Sequence, residues 1–171
     1  KDINRLELIA NRFSKMGASP KLKNENIIDL ISMTVEYLRK RSGNKVIWNW
    51  NPPKKSLSIP MNSTLISWTI ENIVKNGIDS IKGEGEIEIE LINLKTLIRI
   101  LISDNGVGIP ENVINKIFNP GYTTKKGGWG IGLSLVERII VNFHGGKVMI
   151  KETKVGKGTT FEISLNKKLN S

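Results

Sequence analysis

The chain of 171 residues contains no cysteine and only one histidine. Without cysteine it has no disulfides and no thiolate metal sites, which fits a cytosolic chain. No apolar run approaches the ~20 residues that a helix needs to span a bilayer. No signal peptide opens the chain, and its first residue is Lys1 rather than Met, so we expect a fragment of a longer protein. Aromatic residues make up only 6%. They are not interleaved with basic residues in the way that stacking on single strands requires. Internal repeats and low-complexity segments are absent as well.

What remains supports a folded domain. Hydrophobic residues make up 39%, enough for a core. Lys and Arg number 26 against 16 Asp and Glu, giving a net charge of +10. The basic residues are dispersed, so we read a solvated basic surface around a site for an anionic small molecule, with no nucleic-acid partner.

Spacing predicts the elements. Ile3, Leu6, Ala10 and Phe13 recur at helical intervals, which gives an amphipathic helix over 2–16. A second helix is expected over 25–41, with Asn24 as its cap and Ile27, Ile31, Val35 and Leu38 as its buried stripe. VIWNW at 46–50 reads as a strand broken by Pro52-Pro53, with SLSIP at 56–60 as a short return strand. Asn62 or Ser63 caps a third helix, which runs to Ile81. Thr69, Asn72, Asn76 and Asp79 share one face of it, opposite Ile66, Ile70, Ile73 and Ile81. Taken alone, that polar face reads as solvated.

GEIEIELIN at 85–93 alternates strictly and reads as a half-exposed strand. A second strand follows at 97–103, then a short helix at 111–117, a glycine-rich loop at 118–130 and a helix at 131–144. A hairpin formed by KVMIKET and TTFEISL closes the chain. The expected class is α+β: a two-layer sandwich with one mixed, mainly antiparallel sheet and helices on one face.

Two segments carry the chemistry. DNGVGIP at 104–110 puts a carboxylate at a strand end, beside glycines that let a ligand reach the backbone. That arrangement suits hydrogen bonding to a flat heterocycle. GGWGIGLSL at 127–135 opens a helix, and free N–H groups at a helix start suit phosphate. A base at one end and phosphates at the other make a nucleotide site. The chain has no GxxxxGK followed by Ser or Thr, and no βαβ unit carrying GxGxxG, so P-loop and dinucleotide-binding routes fit poorly.

Five segments occur in order: ENIVKNGIDS at 71–80, DNGVGIP, IFNPGYTTKK at 117–126, GWGIGLSLV at 128–136 and GKGTTFEISL at 156–165. Together they resemble the ATP-binding catalytic domain of bacterial two-component sensor histidine kinases, over roughly residues 22–166. The resemblance implies the Bergerat fold, ATP and Mg²⁺ as cofactors, and transfer of the γ-phosphoryl group to a histidine. It gives Asn76 the Mg²⁺, with Asn72 as its catalytic companion at the phosphates and Asp79 on the same face. Asp104 accepts from the adenine amine, Gly106, Gly108 and Ile109 shape the base pocket, and Thr159 bonds the Asp104–adenine cluster. Phe118 and the loop to Lys126 resemble the ATP lid, with Thr124 and Lys125 beside the nucleotide. Lys125 and Lys126 either touch the γ-phosphate or stay in solvent. Gly130, Ile131, Gly132 and Leu133 supply backbone donors to phosphate.

Departures from the family pattern sharpen the expectation. Hydrolytic relatives carry Glu where this chain has Asn72, and an amide is no general base. We therefore expect phosphoryl donation with little hydrolysis. His144 follows Phe143 and precedes Gly145, unlike an acceptor histidine followed by an acidic residue, and it reads as structural. The acceptor is then expected upstream. Residues 1–20 are the end of a dimerisation and phosphoacceptor helical region, and 21–171 form the catalytic domain. Expected partners are that dimerisation domain and a response-regulator receiver domain, in a homodimeric parent on the cytoplasmic side of any membrane that anchors it. The alternatives are a catalytically silent nucleotide-sensing module and a serine kinase of anti-sigma type.

Overall fold

The computed structural model describes residues 20–125 and 130–168. The expected helix over 2–16 and the positions 126–129, with Lys126 and Trp129, lie outside the described residues.

Strand β1 (Lys23–Asn26) leads into helix α1 (Ile27–Ser42), and a 3₁₀ turn (Gly43–Lys45) then reverses the chain into β2 (Val46–Trp50). Next come β3 (Ser58–Met61), helix α2 (Ser63–Ser80), β4 (Gly85–Asn93) and β5 (Leu97–Asp104). A 3₁₀ segment (Glu111–Lys116) precedes α3 (Gly132–Glu137), which continues as a wider π-type turn (Arg138–Phe143). The hairpin β6 (Lys147–Lys154) and β7 (Gly158–Asn166) completes the fold.

Five strands form the main sheet in the order β2-β4-β5-β7-β6. β2 runs parallel to β4, and the other neighbours are antiparallel. The helices cover one face. The isoleucines that alternate along GEIEIELIN point into that layer, and Glu88 and Glu90 point out to solvent. Ile87, Ile98 and Ile100 of the sheet are fully buried, as are Ile27 and Ile31 of α1, Ile66 and Ile70 of α2, and Ile139 and Ile140 after α3. Each such side chain contributes about 1.5–3 kcal/mol on burial. Trp48 and Trp50 tie β2 to α1, donating their indole N–H groups to Ser42 Oγ (3.3 Å) and Ser32 Oγ (3.0 Å).

The structure revises four local expectations. β3 is not a return strand for β2. It pairs antiparallel with β1, from Lys23↔Met61 to Asn26↔Ser58, in a separate two-stranded sheet. Because β2 is parallel to β4, the chain must cross the sheet between them, and α2 makes that crossover.

The α1 cap is Asn26, not Asn24: its side chain accepts from Ile28 N–H (3.1 Å) and also from Leu57 N–H (3.3 Å), whereas Asn24 lies within β1. The helix expected over 131–144 is α-helical only to Glu137. Its wider turn closes with Gly145 N–H on Val141 O (3.1 Å) and Gly146 N–H on Ile140 O (2.9 Å). The face of α2 that read as solvated is not open to water throughout. Thr69 is fully buried, and Asn72 and Asn76 are half-buried.

The registers position the site. Asp104 lies opposite Ile87 on β4 and opposite Thr159 on β7. It therefore ends β5 beside the C-terminal half of α2.

Candidate nucleotide site

Helix α2 starts cleanly because Asn62 accepts from Leu65 N–H (3.2 Å). Its buried isoleucine stripe fixes its rotation on the sheet. Asn72, Asn76, Asp79 and Ser80 consequently share a cavity of about 690 Å³ with Asp104, a size typical of small-molecule sites.

Asp104 forms one end of the cavity. Its Oδ1 accepts from Gly106 N–H (2.8 Å) and from Ser80 Oγ (3.1 Å). Burial pushes the Asp104 carboxyl above its ordinary value, and donors from Gly106, Ser80 and the backbone of Thr159 partly oppose that shift.

The loop after Asp104 is pinned from both sides. Val107 N–H donates to Ser80 O (3.2 Å), and Gly156 N–H donates to Val107 O (2.7 Å). Ile109 N–H donates to Thr153 Oγ1 (2.8 Å), which also lies 2.9 Å from Thr159 Oγ1. Gly108 is in the left-handed region (φ +72°), and a Cβ there would stand 2.2 Å from Lys154 O. Around this end Val107, Ile109, Val113, Ile117 and Phe161 supply an apolar wall. A carboxylate acceptor above an apolar wall fits an aminated aromatic base.

The far end is polar. Asn76 Nδ2 lies 3.4 Å from Asn72 Oδ1. Lys125 Nζ donates to Asn76 Oδ1 (3.1 Å) and to Asp79 Oδ2 (2.5 Å). An ammonium group thus bridges the Asn76 and Asp79 side-chain oxygens at this end. At Gly132 a Cβ would stand 2.8 Å from Asn72 Oδ1, so the start of α3 packs against that amide. The loop between the two ends is closed at its base by Gly121 N–H on Gly130 O (2.9 Å).

The structure brings together Asn72, Asn76, Asp79, Asp104, Gly108, Ile109, Thr124, Lys125, Gly130, Ile131, Gly132, Leu133 and Thr159 around one cavity. Two of the expected residues stand behind its wall. Gly106 supports Asp104 from outside. Phe118 meets Phe161 edge-on, with ring centroids 6.5 Å apart. Thr159 meets Asp104 through its backbone, while its hydroxyl turns to Thr153.

Sequence reasoning missed Ser80, Thr153 and Phe161. Ser80 follows Asn76 by four residues and could have been found from that spacing. Thr153 lies just past an irregularity in β6 between Ile150 and Glu152, which no local pattern reveals. A second hollow, of about 580 Å³, opens on the other side of Asp104. Glu86, Glu88, Glu152, Lys154 and Lys157 line it, and it has no apolar wall for a base.

His144 is buried and structural in its contacts. Its Nδ1 faces Ile139 O (2.8 Å), and its Nε2 accepts from Asn62 N–H (3.1 Å). The proton therefore resides on Nδ1 of a neutral ring, and burial holds its pKa below the ordinary value.

Comparisons with known proteins bear on the family and the fold. The family model for histidine kinase-, DNA gyrase B- and HSP90-like ATPases matches residues 61–169. Sporulation kinase A of Bacillus subtilis (strain 168) is 29% identical over 98% of this chain, which spans 28% of that relative. Nitrogen regulation protein NtrY of Azorhizobium caulinodans is 27% identical over 96% of the chain, which spans 22% of it. The chain thus covers only about a quarter of the length of these curated relatives. The solved catalytic domain of histidine kinase ThkA superposes with a TM-score of 0.78 at 27% identity, over 86% of this chain and 97% of that one. ThkA in complex with the response regulator TrrA superposes with a TM-score of 0.76 at 25% identity, covering 98% of this chain and 48% of that one. The chain belongs to the histidine kinase-, DNA gyrase B- and HSP90-like ATPase family.

Proposed function

We propose that this domain binds Mg-ATP and donates the γ-phosphoryl group to a histidine on a separate dimerisation domain, as a sensor histidine kinase does. The observation that carries this reading is one cavity with two chemically opposite ends: Asp104 above an apolar wall, and Asn72, Asn76 and Asp79 beside the start of α3. Adenine fits the first end. Its exocyclic amine donates to the Asp104 carboxylate, and its ring lies against Ile109 and Phe161. Phosphates fit the second end, against the backbone of Gly130 to Leu133.

The donor set also fits Mg²⁺. Asn76 Oδ1 is a hard oxygen, and it accepts a hydrogen bond from the Lys125 ammonium. We assign the metal to Asn76. The ion neutralises phosphate charge when bound. Asn72 contributes an amide that orients but takes no proton, so a water near the γ-phosphate finds no base at that position, and the Asp79 carboxylate further along the helix is paired with Lys125. Glu71, one residue earlier, is occupied by Lys75 at 3.5 Å. That supports transfer over hydrolysis.

The wider setting belongs to the same proposal. Residues 1–20 are the end of a phosphoacceptor helical region, 21–171 are the catalytic domain, and the parent is a cytoplasmic-facing homodimer that passes its phosphoryl group to a receiver domain. The resemblance to ThkA, solved with a response regulator, supports that partner class. No helix among the described residues is long and apolar enough to cross a membrane. Calorimetry with a non-hydrolysable ATP analogue tests the site. Affinity should rise when Mg²⁺ is added, and Asn76→Ala should remove most of that rise. Binding that ignores both the metal and Asn76 would refute the assignment.

A further inference from the structure

Ser80 ends α2 and lies in the cavity wall, yet neither the sequence motifs nor the family match gives it a role. Its hydroxyl carries one proton and faces two acceptors: Gly77 O at 2.8 Å and Asp104 Oδ1 at 3.1 Å. A charged acceptor outcompetes a neutral carbonyl, so an ionised Asp104 draws that proton. Oδ1 also accepts from Gly106 N–H, and two donors fill its two lone-pair sites.

The other oxygen keeps a lone-pair site for a ligand beside the weaker backbone donor from Thr159. Oδ2 lies on the side of Gly77, 3.3 Å from where a Cβ at that glycine would stand, and Gly77 lines the cavity. The neighbourhood is built around the hydroxyl. A Cβ at Gly106 would fall 1.8 Å from Ser80 Oγ, so only glycine at 106 leaves the hydroxyl its place. The backbone carbonyl of Ser80 holds the same loop through Val107 N–H.

We propose that Ser80 is a positioning residue for base recognition. By occupying Asp104 Oδ1, its hydroxyl presents Oδ2 to the cavity and makes the carboxylate selective for the 6-amino group of adenine. The inference rests on the nucleotide site proposed above and names a determinant of its specificity.

The test is a coupling measurement by calorimetry, with Mg²⁺ complexes of ATP and of purine riboside triphosphate as probes. The two probes share sugar and phosphates and differ only in the 6-amino group. Ser80→Ala should weaken ATP binding roughly 5- to 10-fold, the effect of one hydrogen bond, and weaken the purine analogue less than about 2-fold. Ser80→Cys, close in size but a weaker donor, should fall between wild type and Ser80→Ala for ATP alone.

Equal losses for both probes would mean that Ser80 merely supports the fold, and would overturn the proposal. So would unchanged ATP affinity in a folded Ser80→Ala. If Ser80→Ala fails to fold, Ser80→Cys decides by the same comparison. A wild-type protein that binds the two probes equally, or binds neither, would refute the adenine site itself. A wild type that prefers ATP, with no selective loss in either variant, would remove only the role of Ser80.

Discussion

Replacing Asp104 with Asn should separate stability from binding. Gly106 N–H is fixed by the backbone and needs an acceptor, so the new amide must keep its oxygen at the Oδ1 position. Its Nδ2 then takes the place of Oδ2 and points a donor where the adenine amine also donates. The complex loses a hydrogen bond to a charged acceptor, worth about 1.5–3 kcal/mol, and gains a donor–donor clash. Affinity for ATP should fall by roughly 100-fold or more, corresponding to about 3 kcal/mol.

The free protein behaves differently. Because burial raises the Asp104 pKa, the unfolded chain ionises first as pH rises from the ordinary 3.8. Folded stability therefore falls through that window, and the full cost persists above the folded pKa. The neutral amide removes that cost and gives up a donor contact from the Thr159 backbone. Stability near neutral pH should stay within about 1 kcal/mol of wild type, and the decline above pH 3.8 should flatten. Calorimetric titration with ATP and thermal unfolding across pH read the two effects. Unchanged ATP affinity in Asp104→Asn would refute the site, and global unfolding would refute the argument that this carboxylate serves binding rather than folding.

His144 supplies the opposite pH dependence. Its lowered pKa adds stability that is fully present above the ordinary 6.5 and is lost as pH falls toward the folded value, because burial keeps the folded imidazole neutral while the unfolded chain takes up the proton. With no other histidine in the chain, His144→Gln should lose most of the acid sensitivity just below that value in thermal unfolding. His144→Ala should cost about 2–4 kcal/mol in urea titrations, from two orphaned backbone groups and a small cavity. Gly106→Ala places a Cβ 1.8 Å from Ser80 Oγ and 2.9 Å from the Ser80 carbonyl carbon. Overpacking of that kind costs about 1–3 kcal/mol, and the displaced loop should weaken ATP at least as much as Ser80→Ala does.

Local periodicity carried most of the fold. The alternation in GEIEIELIN gave β4 to the residue, and the isoleucine stripe gave α2, with its cap narrowed to Asn62 or Ser63. It failed where structure depends on distant partners. β1 and β3 have four residues each, and they are strands only because Lys23 meets Met61 across the chain. Asn24 and Asn26 are chemically alike, and only the contact with Leu57 N–H distinguishes the capping residue. At the site, the ordered glycine segments located both ends of the cavity, since glycine is needed wherever backbone closes on Asp104, Asn72 or Lys154. The residues that support them were hidden. Ser80 and Thr153 act through hydrogen bonds that form only once α2, β5 and the β6–β7 hairpin have come together.

In the proposed function this site donates a phosphoryl group rather than hydrolysing ATP. The direct measurement follows the γ-phosphate of labelled Mg-ATP in one reaction holding this domain and an added phosphoacceptor helical domain. Acid-labile label is expected on the acceptor histidine, with none on His144 and little inorganic phosphate. Phosphate release at the rate of a dedicated ATPase, or label on this chain without any acceptor, would contradict the proposed function.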